Sequence, residues 1–183
     1  QREPGKIGWM VIDDADPQRR IHSNRRSSSP TLDDRLLAVR LDGLNGQPLA
    51  ALVGFGIHGT HLMTPLLTGD AAAGIEQLFT EELSRKYQRF VPAFFANGNA
   101  GNISPRGDHL TNQKLGHLQT IGDLLWAVYE PIFEGIETSA DIQLDQRVSR
   151  VEMRYELFGY GDTIDDFAGR DGPYLYGGFQ CVQ

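Results

Sequence analysis

The sequence predicts an α/β domain with a mixed sheet flanked by helices. Apolar runs of strand length, two stretches with apolar residues at helical spacing, and the alternation of the two along the chain predict it. Leu36 to Leu41 alternates weakly and reads as a strand. Gly43, Asn45 and Gly46 supply turn residues. Pro48 to Ile57 is apolar enough for a buried strand, so the pair reads as a hairpin. Gly69-Asp70 opens a helix with Asp70 as its N-cap. Ile75, Leu78, Phe79 and Leu83 then share one stripe, and Glu76, Glu81, Glu82 and Arg85 take the other faces. Phe90 to Ala96 is a second buried strand, in which Pro92 requires an edge position or a bulge. Asn97 to Asp108 is a Gly- and Asn-rich loop, and the helix after it places Leu118, Ile121, Leu125, Val128 and Ile132 on one stripe. Residues Asp13 to Thr31, with Arg19, Arg20, Arg25 and Arg26 among Ser, Asn and Pro, read as a long polar loop and not as a packed element. Ile142 to Leu157 reads as a long strand or hairpin, and Phe158 to Gly178 as loop.

Composition narrows the function classes. A chain of 183 residues is long enough for one domain with a real core. A formal net charge of -7 argues against a nucleic-acid backbone as partner. No apolar run approaches the roughly 18–20 residues that cross a bilayer. Cys181 is the single cysteine, so no internal disulfide framework forms. Starting at Gln1 without a signal-peptide pattern and ending after a Gly-rich stretch, the chain reads as residues of a longer protein.

Two polar, Gly-rich loops directly follow buried strands, where α/β proteins tend to place their sites. The first runs Gly54-Phe55-Gly56-Ile57-His58-Gly59-Thr60-His61 and the second Asn97-Gly98-Asn99-Ala100-Gly101-Asn102-Ile103-Ser104-Pro105. Imidazole at His58 serves as a metal ligand, as a general base, or as a hydrogen-bonded histidine at a strand end. His61 is a weaker ligand candidate, because Gly59 disfavours the helix that would align the two rings. Ser104 is either a turn serine or a hydroxyl beside backbone N–H groups that Gly98 and Gly101 allow to turn inward, as an oxyanion site needs. Gly54-x-Gly56-x-x-Gly59 matches a dinucleotide-binding pattern, but Pro65 follows it and the next helix opens only near Asp70, so that reading fails.

In their order, these segments resemble the neutral/alkaline non-lysosomal ceramidase family. Asn24-Arg25 with its Ser-Pro continuation resembles the family's N-R-S-P. Phe55 to Thr60 resembles F-A-V-H-G-T, Thr68-Gly69-Asp70 to Phe79 resembles S-G-D-N-K-G-Y with its helix, and Asn99 to Pro105 resembles N-x-G-D-V-S-P. Gln143 to Met153 is similar to a strand region of the family, and Asp171-Gly172-Pro173 echoes another segment. The resemblance spans roughly residues 20 to 175.

The resemblance implies an active-site zinc held by two histidines, a glutamate and a tyrosine, and cleavage of ceramide to a sphingoid base and a fatty acid. His58 matches one zinc-ligating histidine, Ser104 the active-site serine and Arg25 the active-site arginine; Gly101 and Asn102 fall at substrate-binding positions. His22 lies near the N-R-S-P segment but matches no ligand. The resemblance further implies that residues 1–183 are part of a larger catalytic domain whose N- and C-terminal portions carry the remaining ligands. It also implies a secreted or periplasmic location, with peripheral contact to a membrane holding the lipid substrate. Asn102 stands where the family has a carboxylate, His61-Leu62 where it has Ser-Met, and Ala71-Ala72-Ala73 where it has an Asn-Lys stretch. These departures leave an alternative expectation: a ceramidase-like domain that binds lipid or a partner without catalysis.

Overall fold

A computed structural model of the chain describes residues 4–24, 32–60, 67–106, 115–143, 145–150, 168–169 and 172–173. It divides into two compact units, Gln1–Ile142 and Gln143–Gln183. The first has the expected α/β architecture: a mixed four-stranded sheet with two helices packed on it.

The sheet runs β1 (Gly5–Ile12), β3 (Leu36–Gly43), β4 (Pro48–Phe55), β5 (Ala93–Asn97) in spatial order. The expected hairpin is β3–β4, antiparallel, with an irregularity between Leu41 and Asp42. β5 lies parallel to β4 at the edge, reached through α1 (Asp70–Tyr87). Pro92 sits just outside this edge strand, its carbonyl accepting the Ala51 N–H at 3.0 Å. That edge is closed by α1 itself: Ser84 Oγ, Thr80 Oγ1 and Glu76 Oε1 accept the N–H groups of Val91, Ala93 and Phe95 at 3.0, 2.9 and 2.8 Å. Helical residues four apart rise about 6 Å, and strand residues two apart about 6.6 Å. The two repeats therefore stay in step over three bonds.

The core lies between one sheet face and the helices. Ala38, Ala51, Val53 and Phe55 meet Ile75, Phe79 and Leu83 of α1 and Ile121, Leu125, Tyr129 and Phe133 of α2 (Leu115–Gly135). Phe79 packs edge-on to Trp126 at 5.0 Å, and the buried Tyr129 hydroxyl donates to the Leu52 carbonyl at 3.3 Å. Burial of that phenol raises its pKa. On the opposite sheet face Trp9, Val11, Leu41 and Phe94 are exposed, and Leu37, Val39 and Leu52 partly so.

Several expectations are corrected. β1 was not read from the sequence at all. Residues Asp13 to Thr31 are not simply a polar loop: Asp16, Ile21 and His22 are buried, and β2 (His22–Asn24) pairs antiparallel with β6 (Ile103–Pro105). The carboxylate of Asp16 explains this, because it accepts the N–H groups of Arg20, Ile21 and His22 at 2.8, 2.9 and 3.1 Å and so folds a polar segment inward. Likewise Asn97 to Asp108 is interrupted by β6. The N-cap of α1 is Gly69, not Asp70. Asp70 is the first helical residue at φ 50, where its own carboxylate accepts the Ala71 N–H at 2.7 Å.

In the second unit the described residues between Gln143 and Arg150 form no strand, and those from Val151 to Leu157 lie outside the described residues. Two-residue strands β7 (Ala168–Gly169) and β8 (Gly172–Pro173) pair antiparallel.

Candidate active site

β4 and β5 are parallel, so both deliver their carboxyl ends to the same side of the sheet. The His58 loop leaves β4 there and the Asn97–Ser104 loop leaves β5 there. Backbone and side-chain bonds lock them together. Gly98 N–H donates to the Phe55 carbonyl at 3.0 Å, and Ile57 N–H to Asn97 Oδ1 at 3.2 Å. A Cβ on Gly98 would stand 3.1 Å from the Gly56 nitrogen, so the close approach of the loops favours glycine here.

His58 is half-buried, with Nδ1 3.0 Å from the Ala100 carbonyl oxygen. A carbonyl only accepts, so Nδ1 carries a proton and the neutral ring keeps its lone pair on Nε2. A histidine whose second nitrogen is fixed by a carbonyl is the arrangement found at zinc ligands. His58 therefore fits a zinc donor. Among the described residues no group of three or more His, Cys, Asp or Glu side chains is placed to hold a metal ion.

Ser104 lies in the middle of β6, half-buried and opposite Ser23 of β2. β2 thereby brings the Asn24 end of the N-R-S-P-like segment beside the serine strand, since Asn24 faces Ile103. Arg25 and His61 lie outside the described residues. The oxyanion expectation needs revision at Gly98. Gly98 N–H is spent on Phe55, Ala100 N–H donates to Gly98 O at 2.8 Å, and Ile103 N–H donates to Ala100 O at 3.0 Å. Gly101 takes part in none of these bonds, is exposed, and has open space where a Cβ would stand. Asn102, half-buried, is held by interactions of its own.

Two further groups border the site and escaped the sequence reading. Asp33 accepts Asn99 Nδ2 at 2.5 Å and binds Arg35 through two bonds of 2.7 and 2.9 Å. The Arg35 guanidinium, with Asn99 adding a donor, holds the Asp33 carboxyl well below the usual carboxylate range. His22 is fully buried and stacked on Phe55, three residues before His58, at 4.7 Å. Its Nε2 lies 3.4 Å from Asp34, whose carboxylate also pairs with Arg19. No sequence signal marked His22 beyond its closeness to Asn24, because its partners Asp34 and Phe55 lie 12 and 33 residues away.

The fold is that of the neutral ceramidases in the part it covers. The neutral ceramidase from Pseudomonas aeruginosa matches it with a TM-score of 0.60 and 20% identity, over 73% of this chain and 23% of that chain. A ceramidase complexed with C2 matches with the same TM-score of 0.60, 20% identity and 73% and 23% coverage. The chain thus spans less than a quarter of the length of the ceramidases it matches, and at this identity the likeness is one of fold. No protein-family model matches the chain, and no curated protein sequence matches it. No helix among the described residues is long and apolar enough to cross a membrane.

Proposed function

We propose that the chain is part of a zinc-dependent amide hydrolase of the ceramidase type, cleaving ceramide or a related N-acyl lipid to a sphingoid base and a fatty acid. The observation that carries this reading is the His58 ring, whose Nδ1 is tied to the Ala100 carbonyl within the loop that leads to Ser104. It supports an Nε2 held ready for a metal beside the serine strand. The fold likeness to ceramidases supports the substrate class.

An amide is a poor electrophile, so its hydrolysis needs an activated nucleophile and stabilisation of the developing oxyanion. Zinc, when bound, supplies Lewis-acid polarisation and a water that ionises near neutral pH. His58 would be one of its ligands, with the others outside the described residues. Ser104 orients the reacting groups or acts as nucleophile, and Arg25 offsets developing negative charge. Gly101 and Asn102 border the substrate. A secreted or periplasmic location with peripheral contact to a lipid surface belongs to the same reading.

The test uses the complete protein. His58→Ala is expected to lose both zinc and fatty-acid release from ceramide. Ser104→Ala is expected to keep its zinc and lose on the order of 10²–10³ in rate. A zinc-replete His58→Ala protein would remove the metal assignment. A fully active Ser104→Ala protein would return Ser104 to the role of a turn residue. A parent protein that binds N-acyl lipid without releasing fatty acid would favour a binding domain.

A further inference from the structure

We infer that His22 is a positioning residue for Ser104, setting the β2–β6 ribbon against the end of β4 through the stack of its ring on Phe55. The role in catalysis rests on the amidase reading above; the positioning itself does not. Three observations carry it. First, His22 opens β2, whose next residue, Ser23, pairs with Ser104, so a displacement of the His22 backbone is passed directly to the serine strand. Second, the ring is fully buried and lies nearly parallel to Phe55, with an interplanar angle of 25° and centroids 4.7 Å apart. Phe55 is the last residue of β4 and its carbonyl anchors Gly98, so the ring bears on the junction of both site loops. Third, the segment on the other side of His22 is fixed independently. Asp16 holds the Ile21 and His22 amides, Arg106 N–H donates to the Ile21 carbonyl at 2.9 Å, and Arg106 Nη1 donates to the Arg19 carbonyl at 2.6 Å.

The polar atoms of the ring contribute less than its shape. Nε2 makes one long contact to Asp34, at 3.4 Å, and Asp34 has Arg19 as a second partner. Nδ1 is buried with no hydrogen-bond partner among the described residues. Replacing a buried, unpaired polar atom by an apolar one of the same shape is close to neutral. A phenyl ring in this place therefore keeps the stack and leaves no donor stranded, whereas a leucine loses the flat contact. Burial also lowers the imidazole pKa, in line with a ring that is neutral when packed.

The experiment compares His22→Phe with His22→Leu. Amide hydrogen exchange on the chain is read at residues 22–24, at Ile103 and Ser104 and, as an internal reference, across β3 and β4. His22→Leu is expected to speed exchange in the β2–β6 ribbon by about tenfold or more while β3 and β4 keep their protection; His22→Phe is expected to restore it. In the complete protein, His22→Leu is expected to lower kcat by up to about 10²-fold with little change in KM, as for a misplaced reacting group, and His22→Phe to recover most of that loss. Unchanged ribbon exchange in His22→Leu, loss of protection throughout the sheet, or failure of His22→Phe to rescue would each overturn the inference. If the parent protein hydrolyses no N-acyl lipid, the functional reading fails, and the exchange comparison still decides the positioning role.

Discussion

Removing the Asn97 side chain tests how the two site loops are joined. Asn97 ends β5, and its Oδ1 accepts the Ile57 N–H at 3.2 Å, one residue before His58. Ile57 is only 1% exposed, but Asn97 is itself exposed, so water enters where the amide stood in Asn97→Ala. The net worth of one hydrogen bond, about 0.5–1.5 kcal/mol, then applies rather than the larger cost of a stranded donor. For a unit of about 140 residues the unfolding entropy is roughly 0.3 kcal/mol per degree, so the melting temperature should fall by about 2–5 °C. The same loss should speed exchange of the Ile57 amide by roughly 2- to 10-fold, because this bond gates the local opening. Asn97→Asp keeps an acceptor and should retain most of both quantities. Thermal unfolding followed by circular dichroism and site-resolved exchange measure them. An Asn97→Ala protein with unchanged melting and unchanged Ile57 exchange would refute the argument. An Asn97→Asp protein as impaired as Asn97→Ala would also do so, by showing that the acceptor is not what matters.

Three other outcomes are expected. Thr80→Val keeps the side-chain volume but leaves the Ala93 N–H without its acceptor under α1, at a cost of about 1–3 kcal/mol read as a shift of the urea midpoint; a neutral substitution would mean that the β5 edge is not sealed by α1. The isolated chain should bind zinc weakly, since His58 is one donor and a stable site takes three or four; stoichiometric zinc after dialysis, by elemental analysis, would show that the chain holds a complete set. Stability should fall as pH drops below the unfolded histidine value of 6.5, because burial depresses the folded His22 pKa and the unfolded chain takes up the proton first; it should fall again below 3.8, where the Asp33 carboxyl held down by Arg35 must be protonated. His22→Phe should flatten the first slope and leave the second, and a parent whose urea midpoint does not change between pH 6.5 and 5 would remove the His22 part.

The sequence carried the parts of the fold that repeat. The stripe Ile75, Leu78, Phe79, Leu83 is periodic and the run Pro48 to Ile57 is apolar, and both supply core residues. What it did not carry was set by contacts distant in sequence. β2 is three residues long and polar, so nothing local marks it as a strand; its partner β6 lies about 80 residues away, and the Asp16 carboxylate turns it inward. β1 went unread because Trp9, Met10 and Val11 are exposed and three successive apolar residues break the alternation that signals a half-buried strand. Asp70 looked like a cap because aspartate usually caps by accepting an amide two or three residues on; here it accepts the next amide from inside the first turn. At the site, the position of His58 after the buried β4 was legible; β5, expected as a second buried strand, is a mostly exposed edge strand, and Ser104 lies beyond it in β6. The use of the glycine amides was not legible, since the partner of Gly98 is a carbonyl 43 residues earlier.

Three segments far apart in the chain meet at one place: the end of β4 with His58, the loop after β5 with Ser104, and the β2 strand that leads toward Arg25. The first two meet because β4 and β5 are parallel and a helix must separate them, which puts both carboxyl ends on one side. The third meets them through the β2–β6 ladder, three residue pairs long, and through the stack of His22 on Phe55. A ladder that short has little stability of its own, so its position depends on what it is packed against, and that is the His22–Phe55 stack and the Asp16 bonds. Catalysis at an amide tolerates little misplacement, whereas lipid binding tolerates much more. The two functional readings therefore differ in how tightly β2–β6 must be held. A hydrolase requires the ribbon to hold its register more firmly than a binding domain does, and native-state exchange at Ser104, compared with that at Val53, measures how firmly it is held.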